Sequence, residues 1–307
     1  MAEKNFDPKK FIDREFEQEL FEELLQLKDN ARILAIQDNK GGMGKSQLLE
    51  QFRYRCRTVR PRTPVSLIAL DQLPGDSPLD LINMVVQHLS NFGVDFPEFN
   101  RYESARISKD FTPIRASIYL QGATFREAKD VMIAGTATRV QQAATVNIGT
   151  VVVEFTPEQE RKAQEVCLRA FFDDLKKHCA REQIVLMLDA YEKCPKAIKD
   201  WIEDWLLEQF FFDFEHRPER LILVIAGREI LNFEMRWSAE DCKETVRSVK
   251  ALGQWTQRHV EECLRVYGFD YTPEHLDTFY RLIAMGLPPS QVVQAIETLV
   301  TTHRKQA

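Results

Sequence analysis

The sequence predicts an α/β fold, a parallel sheet flanked by helices that carries a β-rich insert and a C-terminal helical subdomain. Three observations predict it. Strand-length apolar runs at residues 33–36, 65–70, 184–188 and 221–226 alternate with segments of helical period. Between about 101 and 156 the chain turns β-branched and poor in charge, and beyond about Leu252 only helical patterns remain. The expected division is residues 1–253 for the sheet domain, with the insert at about 101–156, and 254–307 for the helical subdomain.

Length and composition are compatible with this reading. The 307 residues, 44% hydrophobic and 29% charged with 12 Gly and 13 Pro, are those of a folded globular chain. A formal net charge of -6 draws the chain as a whole to neither nucleic acid nor anionic membrane, so neither is the expected partner and any polyanion contact must be regional. The cysteines at 56, 167, 179, 194, 242 and 263 form no CxxC pair and no Cys/His metal spacing, so reduced, buried thiols are expected. The first residues are charged, and no run approaches the length of about 18 apolar residues that spans a bilayer; the expectation is a cytoplasmic protein.

In chain order, Phe16, Leu20, Leu24 and Leu27 recur at helical spacing among acidic residues, which predicts an amphipathic helix over 11–27. Strand 33–36 leads into a glycine-rich loop, and residues 46–57 read as the helix after it. Strand 65–70 and a helix over 80–89 follow. Runs at 114–120 and 146–153 supply the strands of the insert. Thr156, Pro157 and Gln159 combine an N-cap, a proline at the first helical position and a capping-box partner, predicting a helix to about Cys179. Strand 184–188, helix 196–212 and strand 221–226 complete a sheet of at least four strands. In the tail, Thr256 and Thr272 with Pro273 are N-cap signals, and Gly286 to Pro289 interrupts two helix patterns.

The loop carries the chemistry. Asn39, Lys40, Gly41, Gly42, Met43, Gly44, Lys45 and Ser46 match GxxxxGK[ST] except at the first position, where Asn replaces Gly. Asparagine visits the left-handed region more readily than most residues, so it is expected to make the tight turn there. Gly41, Gly42 and Gly44 let backbone N–H groups converge on phosphate oxygens at a helix N-terminus. Lys45 would reach the β- and γ-phosphates, Ser46 would ligate Mg2+, and Gln47 continues the binding segment. A strand–loop–helix setting makes this a P-loop NTPase sheet that binds ATP/ADP.

Magnesium requires a carboxylate at the end of a neighbouring buried strand, and Asp189 ends the apolar run 184–188. Ala190 follows it, leaving Glu192 as the nearest acid to orient water. Arg228, delivered by the strand at 221–226, would read the γ-phosphate. The alternatives are structural: Asp189 as a helix cap, Glu192 as a solvated loop acid, Arg228 in a surface ion pair.

Together these residues resemble the STAND class of P-loop NTPases, the NACHT and plant-resistance-type ATPases among them. Phe11, Ile12, Asp13, Arg14 and Glu15 look like its hhGRE element, with Asp13 in place of the usual glycine. The loop from Asn39 to Ser46 looks like its Walker A, Asp189 and Glu192 are similar to its Walker B, and Arg228 to its sensor arginine. Gly286, Leu287 and Pro288 look like its GxP turn. The resemblance spans residues 11 to 288 and implies a slowly hydrolysing ATP switch that signals to a protein partner or through self-association. It also implies that Arg14 and Pro288 wall the base pocket, with a hinge at about 252–254. Adenine is expected because no NKxD-type element follows the Walker B strand.

Two other readings stand beside it. The same loop matches the deviant P-loop of partitioning-type ATPases, in which Lys40 would act across a dimer, although that loop normally opens the chain. A non-catalytic nucleotide-binding scaffold is the other, kept alive by Ala190. Five arginines from Arg53 to Arg62 around Tyr54 fall where a helix C-terminus favours cations, and Trp201, Trp205 and the phenylalanines after them read as core.

Overall fold

The computed structural model describes residues 6–109, 156–212 and 217–306. Its elements run α1 (Glu15–Leu25), β1 (Ile33–Gln37), α2 (Lys45–Thr58), β2 (Val65–Ala69), α3 (Pro78–Ser90), α4 (Pro97–Ile107) and α5 (Pro157–Cys179). They continue with β3 (Ile184–Asp189), α6 (Lys196–Trp201), β4 (Leu221–Gly227), α7 (Ala239–Thr245), β5 (Val246–Val249), α8 (Gln257–Val266), α9 (Pro273–Ala284) and α10 (Pro289–Gln306). The chain divides into two compact units, Met1–Val94 with His178–Ala307, and Asp95–Lys177.

In the first unit five strands form one parallel sheet in the order β2-β3-β4-β1-β5. Strands β1 and β4 are almost wholly buried, as expected where helices cover both faces and apolar runs need not alternate. Leu34 and Ile36 of β1, Val185 and Met187 of β3, and Ile222 and Val224 of β4 pack with Phe21 and Leu24 of α1 and with Leu48, Leu49 and Phe52 of α2. Phe21 and Phe52 stack at 4.2 Å between ring centroids. Burying aromatic and aliphatic side chains of this size stabilises the fold by roughly 1.5–3 kcal/mol each, enough to hold α2, and hence the loop before it, against the sheet.

The sheet has one strand more than the four apolar runs, because β5 is added at the edge beside β1, with Ile33 opposite Val246 and Ile36 opposite Val249. The first helix begins at Glu15 rather than Phe11, since Asp13 and Arg14 both take positive φ, 73° and 80°, which no helix accommodates. The predicted helix over 196–212 is α-helical only to Trp201 and proceeds through π turns at Ile202–Leu206 and Glu208–Phe212.

The helices α8, α9 and α10 share a separate apolar cluster of Val260, Cys263, Leu264, Phe279, Val292 and Ile296, joined by Ile12 from the N-terminal segment. Thr272 caps α9 by accepting from the His275 amide. All six cysteines are buried and free, and burial pushes the thiols of Cys56, Cys179 and Cys263 up to about 12.

In the second unit, residues 101–107 belong to helix α4 rather than to a β-rich segment; the expected strands at 114–120 and 146–153 lie outside the described residues. Asp174 of α5 accepts the amides of Glu98 and Phe99 at 2.9 and 3.1 Å, satisfying orphan donors of α4's first turn. Phe96 stacks on Phe171 at 5.6 Å. The capping box at the start of α5 is reciprocal: Thr156 N–H donates to Gln159 Oε1 at 3.0 Å and Gln159 N–H to Thr156 Oγ1 at 3.2 Å.

Candidate functional site

The carboxyl ends of the strands meet at one edge, where ligands bind in open parallel sheets. Because β4 lies between β1 and β3, Arg228 emerges between the glycine-rich loop and Asp189. A cavity of about 930 Å³ opens there, lined by Gly41, Gly42, Met43, Gly44, Lys45, Ser46 and Gln47 together with Asp189, Ala190, Glu192 and Arg228.

The loop's backbone is set residue by residue. Gly42 and Gly44 take φ of 75° and 92°, a region costly to residues with a Cβ. At Gly42 a Cβ would also displace the Ser290 hydroxyl and lie 3.2 Å from Pro288 Cβ. Met43 between them buries its side chain in the core with Leu48 and Phe52. Asn39 does not take positive φ, contrary to the expectation for a residue in the glycine position. The turn out of β1 is held instead by Asp38, whose carboxylate accepts the Lys40 amide at 2.8 Å, so no left-handed residue is required.

Lys45 Nζ donates to the carbonyls of Asp38 at 2.7 Å and Lys40 at 3.2 Å. Burial lowers its pKa, opposed by the nearby carboxylates of Asp38, Glu192 and Asp189. Asp189 accepts the Ala190 amide at 2.8 Å. Burial raises its pKa, because desolvation outweighs the lowering influence of the Ser46 hydroxyl and the Ala190 amide. Ala190 turns the chain in the left-handed region, φ 56°, at a cost of about 1 kcal/mol. Glu192 then reaches back: its Oε2 accepts the Arg228 amide at 2.9 Å, and its Oε1 lies 3.8 Å from Arg228 Nε. The guanidinium itself leans over the loop, where a Cβ on Gly41 would stand 3.1 Å from it.

Four of the sequence-derived residues are not part of the cavity wall. Asn39 and Lys40 are exposed at the bend after β1. Pro288 rests against Gly42. Arg14 lies behind the loop, 4% exposed, donating to the carbonyls of Met43 and Gly253 at 2.8 Å each. Arg55 pairs with Glu22 and Arg53 with Glu50, while Arg53, Tyr54 and Arg57 extend the cavity along α2.

The sequence reading missed Asp38, Asp71, Lys193, Ser290 and Phe6. Asp71 follows β2 and pairs with Lys193 at 2.8 Å on the cavity rim; taking the first acid past each strand would have found it. Asp38 is the tightest node: its Oδ2 accepts the Leu252 amide at 2.9 Å and its own amide donates to Gly227 O at 3.1 Å. From the far side, the Ser290 amide at the start of α10 donates to Gly42 O at 3.1 Å.

This is the P-loop NTPase fold. A strand, a glycine-rich loop and a helix stand in a parallel sheet, with an acid-tipped strand two places away. No protein-family model and no curated protein matches the chain. Among solved structures, the Aeropyrum pernix ORC2 protein in its ADPNP-ADP complexes aligns over 97% of this chain, with 11% identity and a TM-score of 0.49. Its ADP form aligns over 96%, with the same identity and score. The Aeropyrum pernix ORC1 protein in complex with DNA aligns over 97%, with 13% identity and a TM-score of 0.45. This chain spans only 64%, 64% and 62% of those chains. No helix among the described residues is long and apolar enough to cross a membrane.

Proposed function

We propose that the chain is an ATP-binding, slowly hydrolysing switch module of the STAND-like kind, in which ATP and ADP favour different packings of α8, α9 and α10 on the sheet. The difference is passed to a protein partner or to another copy of the chain. The observation that carries this reading is the double attachment of the loop to the C-terminal segment, through Ser290 to Gly42 and through Leu252 to Asp38. A ligand that moves the loop must work against both bonds, which gives it differential affinity for two packings.

The residues fit a magnesium nucleotide. A hydroxyl and a half-buried carboxylate on the same cavity wall, Ser46 and Asp189, are hard oxygen donors of the kind Mg2+ takes alongside phosphate oxygens. Magnesium, when bound, neutralises charge on the phosphates. Ser46 and Asp189 would hold it, Lys45 would exchange its two carbonyl partners for phosphate oxygens, and Arg228 would meet the terminal phosphate from the β4 side. Glu192 fixes the backbone of Arg228 and is the acid that would orient an attacking water. Adenine remains the preferred base.

A specific observation favours a second reading, a nucleotide-binding scaffold without turnover: Ala190 occupies the position after Asp189, and Glu192 is already engaged with Arg228. The partitioning-type alternative draws nothing comparable, since the helical tail attached to the loop has no counterpart there. Phosphate release measured beside nucleotide binding separates these readings. Tight ATP binding with slow release supports the switch, binding without release supports the scaffold, and absence of nucleotide binding overturns both.

A further inference from the structure

In a trans peptide the carbonyl and the following N–H point in opposite directions. Two successive peptides of the loop have their carbonyls held. Gly42 O accepts the Ser290 amide at 3.1 Å, and Met43 O accepts Arg14 Nη2 at 2.8 Å, with the arginine buried behind the loop. Arg14 makes its bond from behind the loop, outside the cavity lining, so the Gly44 amide is turned the other way, toward the cavity that Gly44 lines. That is a donor a phosphate-binding loop must present.

We propose that Arg14 is a positioning residue for the phosphate loop, one that also yokes the loop to the linker after β5, rather than a wall of the base pocket. Its second arm donates to Gly253 O at 2.8 Å, so one rigid, planar group holds the loop and the linker together. The local structure is built to aim it. Asp13 and Arg14 both adopt left-handed backbone, at a cost of about 1–2 kcal/mol for each side-chain-bearing residue. Asp13, standing where the STAND pattern has glycine, returns a carboxylate to the arginine: it accepts the Arg14 amide at 2.7 Å and pairs with Nη1 at 3.0 Å. His259 of α8 lies 3.7 Å from the same carboxylate, which places the aspartate beside the first turn of the tail. Arg14 thus orients a donor it does not touch and couples phosphate occupancy to the tail.

The proposal rests on the nucleotide reading above, and a probe without a base separates it from the base-pocket role. Calorimetry of sodium tripolyphosphate and of ATP, each with magnesium, is to be compared for the parent, Arg14→Lys and Arg14→Gln chains. We expect Arg14→Gln to weaken both ligands by the same factor, about tenfold or more, with the ATP-to-GTP preference unchanged; Arg14→Lys, which keeps the charge but not the planar fork, falls between. Unchanged tripolyphosphate binding in both variants overturns the proposal, and so does a loss confined to ATP with an altered base preference. Hydrogen exchange on the parent needs no variant: tripolyphosphate is expected to slow exchange at residues 42–46 and 252–256 together, and slowing at 42–46 alone overturns the yoke. A parent that binds neither ligand overturns the nucleotide reading as well; a parent that binds both while the variants match it overturns this proposal alone.

Discussion

Asp38 Oδ2 accepts the backbone amide of Leu252 at 2.9 Å across 214 positions of sequence, so the residue that shapes the exit from β1 also pins the start of the helical tail. Its other oxygen holds the part-buried Lys40 amide, whereas the bond to Leu252 is buried and closed to water. A charged acceptor serving a buried amide contributes about 1.5–3 kcal/mol. Asp38→Ala is expected to lower the unfolding free energy by about 2 kcal/mol or more and to speed exchange of the Leu252 amide. Denaturant titration and hydrogen exchange test this, and a variant of parental stability would remove Asp38 from the account.

Lys45→Ala is expected to abolish measurable ATP binding while leaving the melting transition nearly where it was. The ammonium is only partly buried, and its partners are carbonyls at the loop surface rather than the core. Parental affinity in this variant would refute the site.

Asp189 and Glu192 should separate binding from turnover. Asp189→Asn is expected to weaken magnesium-dependent ATP binding. Glu192→Gln should slow any hydrolysis about tenfold or more with little loss of affinity, since its remaining oxygen can still accept the Arg228 amide. Hydrolysis at the parental rate in Glu192→Gln would show that this acid does not activate the water.

The raised pKa of Asp189 has a definite sign. An acid whose folded pKa exceeds its unfolded one binds more protons when folded, so its contribution to stability is present at low pH and is lost as pH rises through the folded value. Metal binding runs the other way and needs the carboxylate. Magnesium-dependent ATP affinity should therefore begin to fall at a pH above the ordinary aspartate value of about 4, and Asp189→Asn should flatten that profile. A parental profile level down to pH 4 would contradict it.

How much of this was legible depends on where the signal resides. Strands β1, β3 and β4 read directly because they are continuous apolar runs, and Thr156 with Gln159 announced α5 through a local capping box. Strand β5 did not: its four residues, Val-Arg-Ser-Val, lie at the sheet edge and offer too short a pattern. Helix α4 was hidden for a different reason. Its first turn is capped by Asp174, 75 and 76 residues away, instead of by a local side chain. The cavity's glycines, Lys45, Ser46 and Asp189 carry their chemistry in their identities. Asp38 and Arg14 act on backbone groups of Leu252, Met43 and Gly253, and a carbonyl or amide leaves no mark in a sequence. For the same reason the resemblance could suggest that Arg14 matters without giving its geometry.

Nucleotide phosphates and the helical tail are expected to respond as one unit, through Gly42 to Ser290 and Asp38 to Leu252. Hydrogen exchange of the full chain with ATP, with ADP and without nucleotide, each with magnesium, tests it most directly. Protection across residues 280–295 and 250–256 is expected to differ among the three states and to change together with that of the loop. Equal protection of residues 280–295 in all three, with the loop alone responding, would contradict it.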